Sequence, residues 1–158
     1  DKIQRIVKGQ YILPDDMQGE LLAISNRSER VIFSHETALY LLGLTDRTPL
    51  FYSMTVPAVY NATPLKASGA KVYFVNRNLF QLGVITLKSS HGNDIKTFNL
   101  ERTICDVLRN RNQVDVQLVN EALKKYVIHK DRNIDQLYNF AKQFRIQKIV
   151  REYIEVLL

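Results

Sequence analysis

A single cysteine, Cys105, is all this chain offers for disulfide chemistry. A small secreted domain stapled by disulfides carries an even set, so that class is excluded and a cytoplasmic location is expected. Cys105 falls in an apolar helical pattern and is expected as a buried core thiol, with no base at local spacing to make it a nucleophile. No apolar run approaches the ~18 residues needed for a membrane-spanning helix, so no membrane partner is expected. The opening Asp1-Lys2-Ile3-Gln4 is not a signal peptide, and the missing initial Met leads us to expect residues upstream. The six glycines are scattered and form no phosphate-cradling loop, and the GxGxxG, GxSxG and CxxC patterns are absent. His35, His91 and His129 stand far apart, without metal-ligand spacing. We therefore expect no metal, no cofactor, no catalytic residue and no enzyme activity.

What is present suits a globular domain. A length of 158 residues fits one domain with at most a small appendage. The net charge of +6 is unevenly placed. Residues 1–70 hold seven Lys/Arg and seven Asp/Glu, whereas residues 71–158 hold fifteen against nine. The basic half is suited to an acidic partner or to nucleic acid.

Apolar residues around Lys8-Gly9 predict a hairpin over 3–7 and 10–13. A short helix is expected over 16–25 and a strand over 30–33. Ser34 should cap a helix bearing Ala38, Leu41 and Leu42 as an apolar stripe, with Gly43 in the left-handed stop position. Strands follow at 51–56 and 71–75, separated by an irregular stretch from Pro57 to Gly69. A helical turn near 78–82 precedes a hairpin of 84–88 with 95–98. Asn99, Asp115 and Asn133 should cap helices over 100–109, 116–129 and 134–144, with Gln136 completing a capping box at the third. A fourth stripe runs from Ile146 to Leu157. The order predicts an α+β fold: a small mixed or antiparallel sheet with helices, then a C-terminal run of about four helices.

Several constellations invite a chemical reading. Arg102 and Asp106 are spaced for an i,i+4 ion pair amid apolar neighbours, which we read as structural. Asp94-Ile95-Lys96 imitates part of a metal-dependent nuclease site, which would also need a second carboxylate. The helical half interleaves cations with aromatics. Its aromatics fall on apolar stripes and its cations on wet faces, and Lys124, Lys125, Lys142, Arg145, Lys148 and Arg151 form a candidate interaction surface. Lys2, Arg5 and Lys8 flank the first hairpin, where the wing of a winged helix-turn-helix would touch phosphate.

Two strings are distinctive: Ser34-His35-Glu36-Thr37-Ala38-Leu39-Tyr40-Leu41-Leu42-Gly43-Leu44-Thr45-Asp46-Arg47-Thr48-Pro49, and Glu101-Arg102-Thr103-Ile104-Cys105-Asp106. With Ile6-Val7-Lys8-Gly9-Gln10-Tyr11 near the start and Tyr153 to Leu158 at the end, the chain resembles the antitoxin domain of AbiEi-type abortive-infection proteins over nearly its whole length. The resemblance implies an antitoxin of a type IV toxin–antitoxin system that counters a nucleotidyltransferase toxin, by direct contact or otherwise. It also implies an N-terminal winged helix-turn-helix that represses the operon through inverted repeats in promoter DNA. Here residues 1–14 match only the wing, with Lys2, Arg5 and Lys8 as its DNA contacts, and 15–158 would be the antitoxin domain. Alternatives are a sequence-independent nucleic-acid-binding module using the basic helices, or a metal-dependent nuclease around Asp94 and Lys96.

Overall fold

The computed structural model describes residues 4–7, 10–12, 23–24, 30–88 and 94–158. The fold is α+β: one mixed sheet with helices, followed by a helical run. The strands are β1 (Gln4–Val7), β2 (Gln10–Ile12), β3 (Ile32–Phe33), β4 (Ser53–Pro57), β5 (Lys71–Val75), β6 (Val84–Lys88) and β7 (Asp94–Phe98), in spatial order β1-β2-β6-β7-β3-β4-β5. The helices are α1 (His35–Leu41), α2 (Thr63–Ala67), α3 (Arg77–Phe80), α4 (Leu100–Arg109), α5 (Val116–Val127), α6 (Ile134–Gln143) and α7 (Gln147–Glu155).

Antiparallel pairs β3/β4 and β6/β7 meet where β3 runs parallel to β7, Phe33 opposite Thr97. Strand β5 extends one side in parallel with β4 through five residue pairs, from Ser53 with Lys71 to Pro57 with Val75. The β1/β2 hairpin joins the other side where Ile12 lies opposite Lys88. Of the helix expected over 16–25, only Ala23 and Ile24 are described, and both are helical. The hairpin turn at 89–93 and His91 lie outside the described residues.

Strand periodicity sets up the layers. In β4, Met54 and Val56 point into an apolar cluster with Phe33, Leu87 and Ile95, while the buried Ser53 and Thr55 side chains bond to the first turn of α1 and the residue before it. The expected stripe on α1 proves too narrow: every residue of the helix except Glu36 is buried. Ala38, Leu39 and Leu42 pack with the C-terminal helices, whereas Tyr40 and Leu41 pack with the sheet cluster. This helix is a wedge between two cores. It ends as predicted, with Gly43 at φ +75° and the Leu44 N–H closing onto the Leu39 carbonyl at 2.8 Å.

The stretch from Pro57 to Gly69, expected to be irregular, contains α2, opened by Pro64 in its first turn. Proline fits there because that N–H needs no helical partner. The predicted caps at Asn99, Asp115 and Asn133 form, accepting from the N–H groups of Arg102, Gln117 and Gln136. Ser34 occupies its N-cap position without capping, because its hydroxyl is engaged elsewhere. The capping box at α6 is also rewired. Gln136 Oε1 accepts from Asn99 Nδ2 at 3.0 Å, and the Asn133 N–H that it should have met donates to Glu101 Oε2 at 2.9 Å.

Helix α4 is the axis of the helical core, packed by α5, α6 and α7 and buried from Leu100 to Leu108. It buries polar as well as apolar side chains, so every turn has hydrogen-bonding demands to meet.

Candidate functional site

A polar thread, buried at its start and half-buried at its end, links the first distinctive string to Asn110, just beyond the second. Thr55 Oγ1 donates to Ser34 Oγ at 2.7 Å, and Ser34 Oγ lies 2.7 Å from His35 Nδ1. His35 Nε2 then reaches Asn110 Oδ1 at 2.9 Å. The Asn110 oxygen can only accept, so Nε2 carries the proton and Nδ1 accepts from Ser34. Burial, the main influence, holds the imidazole below its ordinary value of 6.5, opposed in part by Asp106, Asn110 and Glu36. His35 adopts φ +52°, an uncommon conformation for a side-chain-bearing residue, and this turns its ring against Tyr73.

A serine beside a histidine could suggest nucleophilic catalysis. Here Ser34 is 0% and His35 2% exposed, and Ser34 is already hydrogen-bonded on both sides. The thread is therefore a connector between β4, α1 and the end of α4. Beside it, Glu36 accepts from Ser53 Oγ and lies 3.6 Å from Lys71 Nζ, which also donates to the Gln113 carbonyl.

Arg102 organises the second string. Its Nε donates to Asp106 Oδ1 at 3.0 Å, and the pair is 0% and 1% exposed. Its Nη1 donates to the Leu79 and Leu82 carbonyls, both at 2.7 Å. The guanidinium plane lies 3.8 Å from the Phe98 ring centre and 4.7 Å from that of Phe144. Such a charge survives burial because carboxylate, carbonyls and rings together replace water. Arg102 Nη2 and Asp106 Oδ2 remain without hydrogen-bond partners among the described residues.

Glu101 was not singled out in the sequence. It is 4% exposed, and its Oε2 accepts from Tyr126 Oη at 2.8 Å as well as from the Asn133 N–H. Burial and this bond push the Tyr126 phenol upward. Its place beside Leu100 in the first turn, on a helix rich in apolar residues, was the only local signal. Cys105 is buried, its thiol faces the Leu137 carbonyl at 3.9 Å, and burial pushes its pKa up.

The cations of the helical half lie at the surface. Lys124, Lys142, Arg145, Lys148 and Arg151 are exposed, and Lys125 is half-buried. Lys125 approaches Glu121 at 3.6 Å and Asp46 at 3.8 Å, and Arg151 approaches Glu155 at 3.7 Å. Among the described residues Lys124, Lys142, Arg145 and Lys148 form no ion pair. Lys124 and Lys125 share a shallow depression on α5, whereas Arg145 lines a separate cleft with Arg109, which the sequence reading passed over.

Asp94 and Lys96 are exposed on β7, and no group of three or more His, Cys, Asp or Glu among the described residues could hold a metal ion. Arg5 lies on β1 opposite Tyr11, while Lys2 and Lys8 fall outside the described residues. No described helix is long and apolar enough to cross a membrane. No protein-family model matches the chain, and no curated protein does either.

Proposed function

We propose that the chain is the antitoxin domain of an AbiEi-type protein, a cytoplasmic, non-catalytic component of a type IV toxin–antitoxin system. Its role would be to counter a nucleotidyltransferase toxin. In the full-length protein a preceding winged helix-turn-helix would repress the operon through promoter DNA. One observation carries this reading. The two strings on which the resemblance rests share one buried cluster, to which the first contributes Ala38, Leu39, Leu42 and Leu44 and the second Ile104 and Cys105. A shared core of that kind gives both strings a structural role that needs no active site.

The exposed cations of α5, α6 and α7 are the proposed antitoxic surface, because among the described residues Lys124, Lys142 and Lys148 are in no ion pair and Arg151 pairs only with its exposed neighbour Glu155. The test is co-expression with the cognate nucleotidyltransferase toxin, scored as growth. Rescue by this domain alone supports the reading, and unrelieved toxicity with soluble, folded protein refutes it. A control incubation with RNA and DNA in Mg²⁺ or Mn²⁺ should show no cleavage. Cleavage lost in Asp94→Ala would move the function to a nuclease.

A further inference from the structure

A cleft of about 380 Å³ opens between α3, the end of α4 and the corner joining α6 to α7. Its polar lining is Arg109, Arg145, Asn76, Asn78 and Gln143, with Phe144 at its wall and no carboxylate. Among the described residues neither arginine forms an ion pair or donates a side-chain hydrogen bond. The Asn76 and Asn78 amides are likewise unused.

The two arginines are presented by different devices. The Arg109 guanidinium is laid over the Phe144 ring at 5.4 Å, which fixes its position while leaving its N–H groups free to donate. Arg145 follows the last turn of α6. Its N–H bonds to the Lys142 carbonyl and the Ile146 N–H to the Ala141 carbonyl, the pattern that places one left-handed residue after a helix. Glycine takes that position most easily, yet here it is arginine at φ +60°. The Arg145 side chain is exposed and, among the described residues, makes no hydrogen bond or ion pair that would offset the backbone strain. Strain held under a side chain with no polar partner among the described residues points to a task for that side chain outside the fold.

We infer that this cleft is a binding site for a phosphate group, gripped by Arg109 and Arg145 and flanked by the amides of Asn76 and Asn78, with Gln143, whose amide donates to Asn139 Oδ1, at its edge. Planar guanidinium groups match phosphate oxygens in charge and fork geometry. The missing carboxylates favour an anion, and the volume admits more than inorganic phosphate alone. No free aromatic face lines the cleft to stack a base, since the Phe144 ring is already covered by Arg102 and Arg109. Phosphate is thus the recognised chemistry, whether carried by a small molecule or by the end of a nucleic acid strand. The site does not depend on the antitoxin reading.

Calorimetric titration with pyrophosphate, and with a short RNA carrying either a 5′-phosphate or a 5′-hydroxyl, tests it at physiological salt. Binding of pyrophosphate or of the 5′-phosphorylated RNA is expected, weakened about tenfold or more in Arg145→Gly and in Arg109→Gln. Arg145→Gly should melt at the parent temperature or above, because glycine relaxes the backbone, so lost binding cannot be blamed on lost folding. Preference for pyrophosphate would assign a small ligand, and preference for the 5′-phosphorylated RNA a strand end. No binding by any probe overturns the proposal. So does binding retained in Arg145→Gly, or weakened equally by Lys124→Gln on α5.

Discussion

The His35 imidazole lies flat against the Tyr73 ring, with centroids 3.4 Å apart and planes 9° apart. Burial shifts the two groups in opposite senses, the imidazole downward and the phenol upward. Both shifts favour the uncharged form, and for His35 that is the form that the thread from Thr55 to Asn110 requires.

Acid should therefore loosen the fold through His35. Its folded pKa lies below 6.5, so as pH falls the unfolded chain takes up the proton first. That contribution to stability is fully present above about pH 6.5 and is lost as pH drops through the folded value. Thermal melts should be level from about pH 8 to 7 and decline toward about pH 5, before most carboxylates titrate. His35→Asn, whose side chain tolerates the left-handed backbone, should flatten that decline. An unchanged slope in this variant would show that another group titrates.

Removing the buried cation should be severe. Arg102→Ala strands Asp106, frees the Leu79 and Leu82 carbonyls and empties the space between two rings. The expected loss is roughly 3–5 kcal/mol in denaturant titration, the usual cost of breaking a buried pair on one side. A loss below about 1 kcal/mol would be incompatible with the burial seen for this pair.

The surface cations should behave oppositely. Reversal of Lys124, Lys142 or Lys148 to glutamate should change stability by about ±0.5 kcal/mol each, because each is exposed and in no ion pair among the described residues. Reversal of all three should nonetheless abolish toxin rescue in co-expression. Full rescue by the triple variant, at matched protein levels, would place antitoxicity on another face.

Two glycines with similar backbones should respond differently to alanine. Gly43, at φ +75°, faces open space, so Gly43→Ala should cost only the backbone strain, about 1 kcal/mol. Gly83, at φ +79°, would bring a new Cβ to 2.8 Å from Arg102 Cβ and 3.0 Å from Asn99 Oδ1. Gly83→Ala should lose at least about 2 kcal/mol, combining strain with overpacking. Equal losses in the two variants, read by thermal melts, would refute the close approach to Arg102.

The sequence was most legible where signals are local. The caps at Asn99, Asp115 and Asn133 act within three residues, and the helices they open lie where periodicity placed them. Ser34 reads as a cap for the same local reason, but its hydroxyl is claimed by Thr55, 21 positions away and brought near only by sheet pairing. The role of Glu101 was invisible because its partners, Tyr126 and Asn133, arrive from other helices. Helix α2 was missed because Pro64 reads as a breaker wherever the helix start is not recognised. Arg109 looked like an ordinary charge in a last turn until Phe144 was placed beneath it.

The guanidinium of Arg102 also sets an order of events during synthesis. Chains emerge from the ribosome N-terminal end first. The Leu79 and Leu82 carbonyls and the Phe98 ring are then already available, while Phe144, which covers the guanidinium's other contact surface, is still to be translated. Until α6 docks, the guanidinium on α4 is open to water on the side that Phe144 will cover, alongside an open apolar face. A nascent chain halted between α4 and α6 should therefore lack a stable helical core. Ribosome-bound intermediates of that length should be digested by protease, with protection appearing in one step once the last two helices clear the exit tunnel.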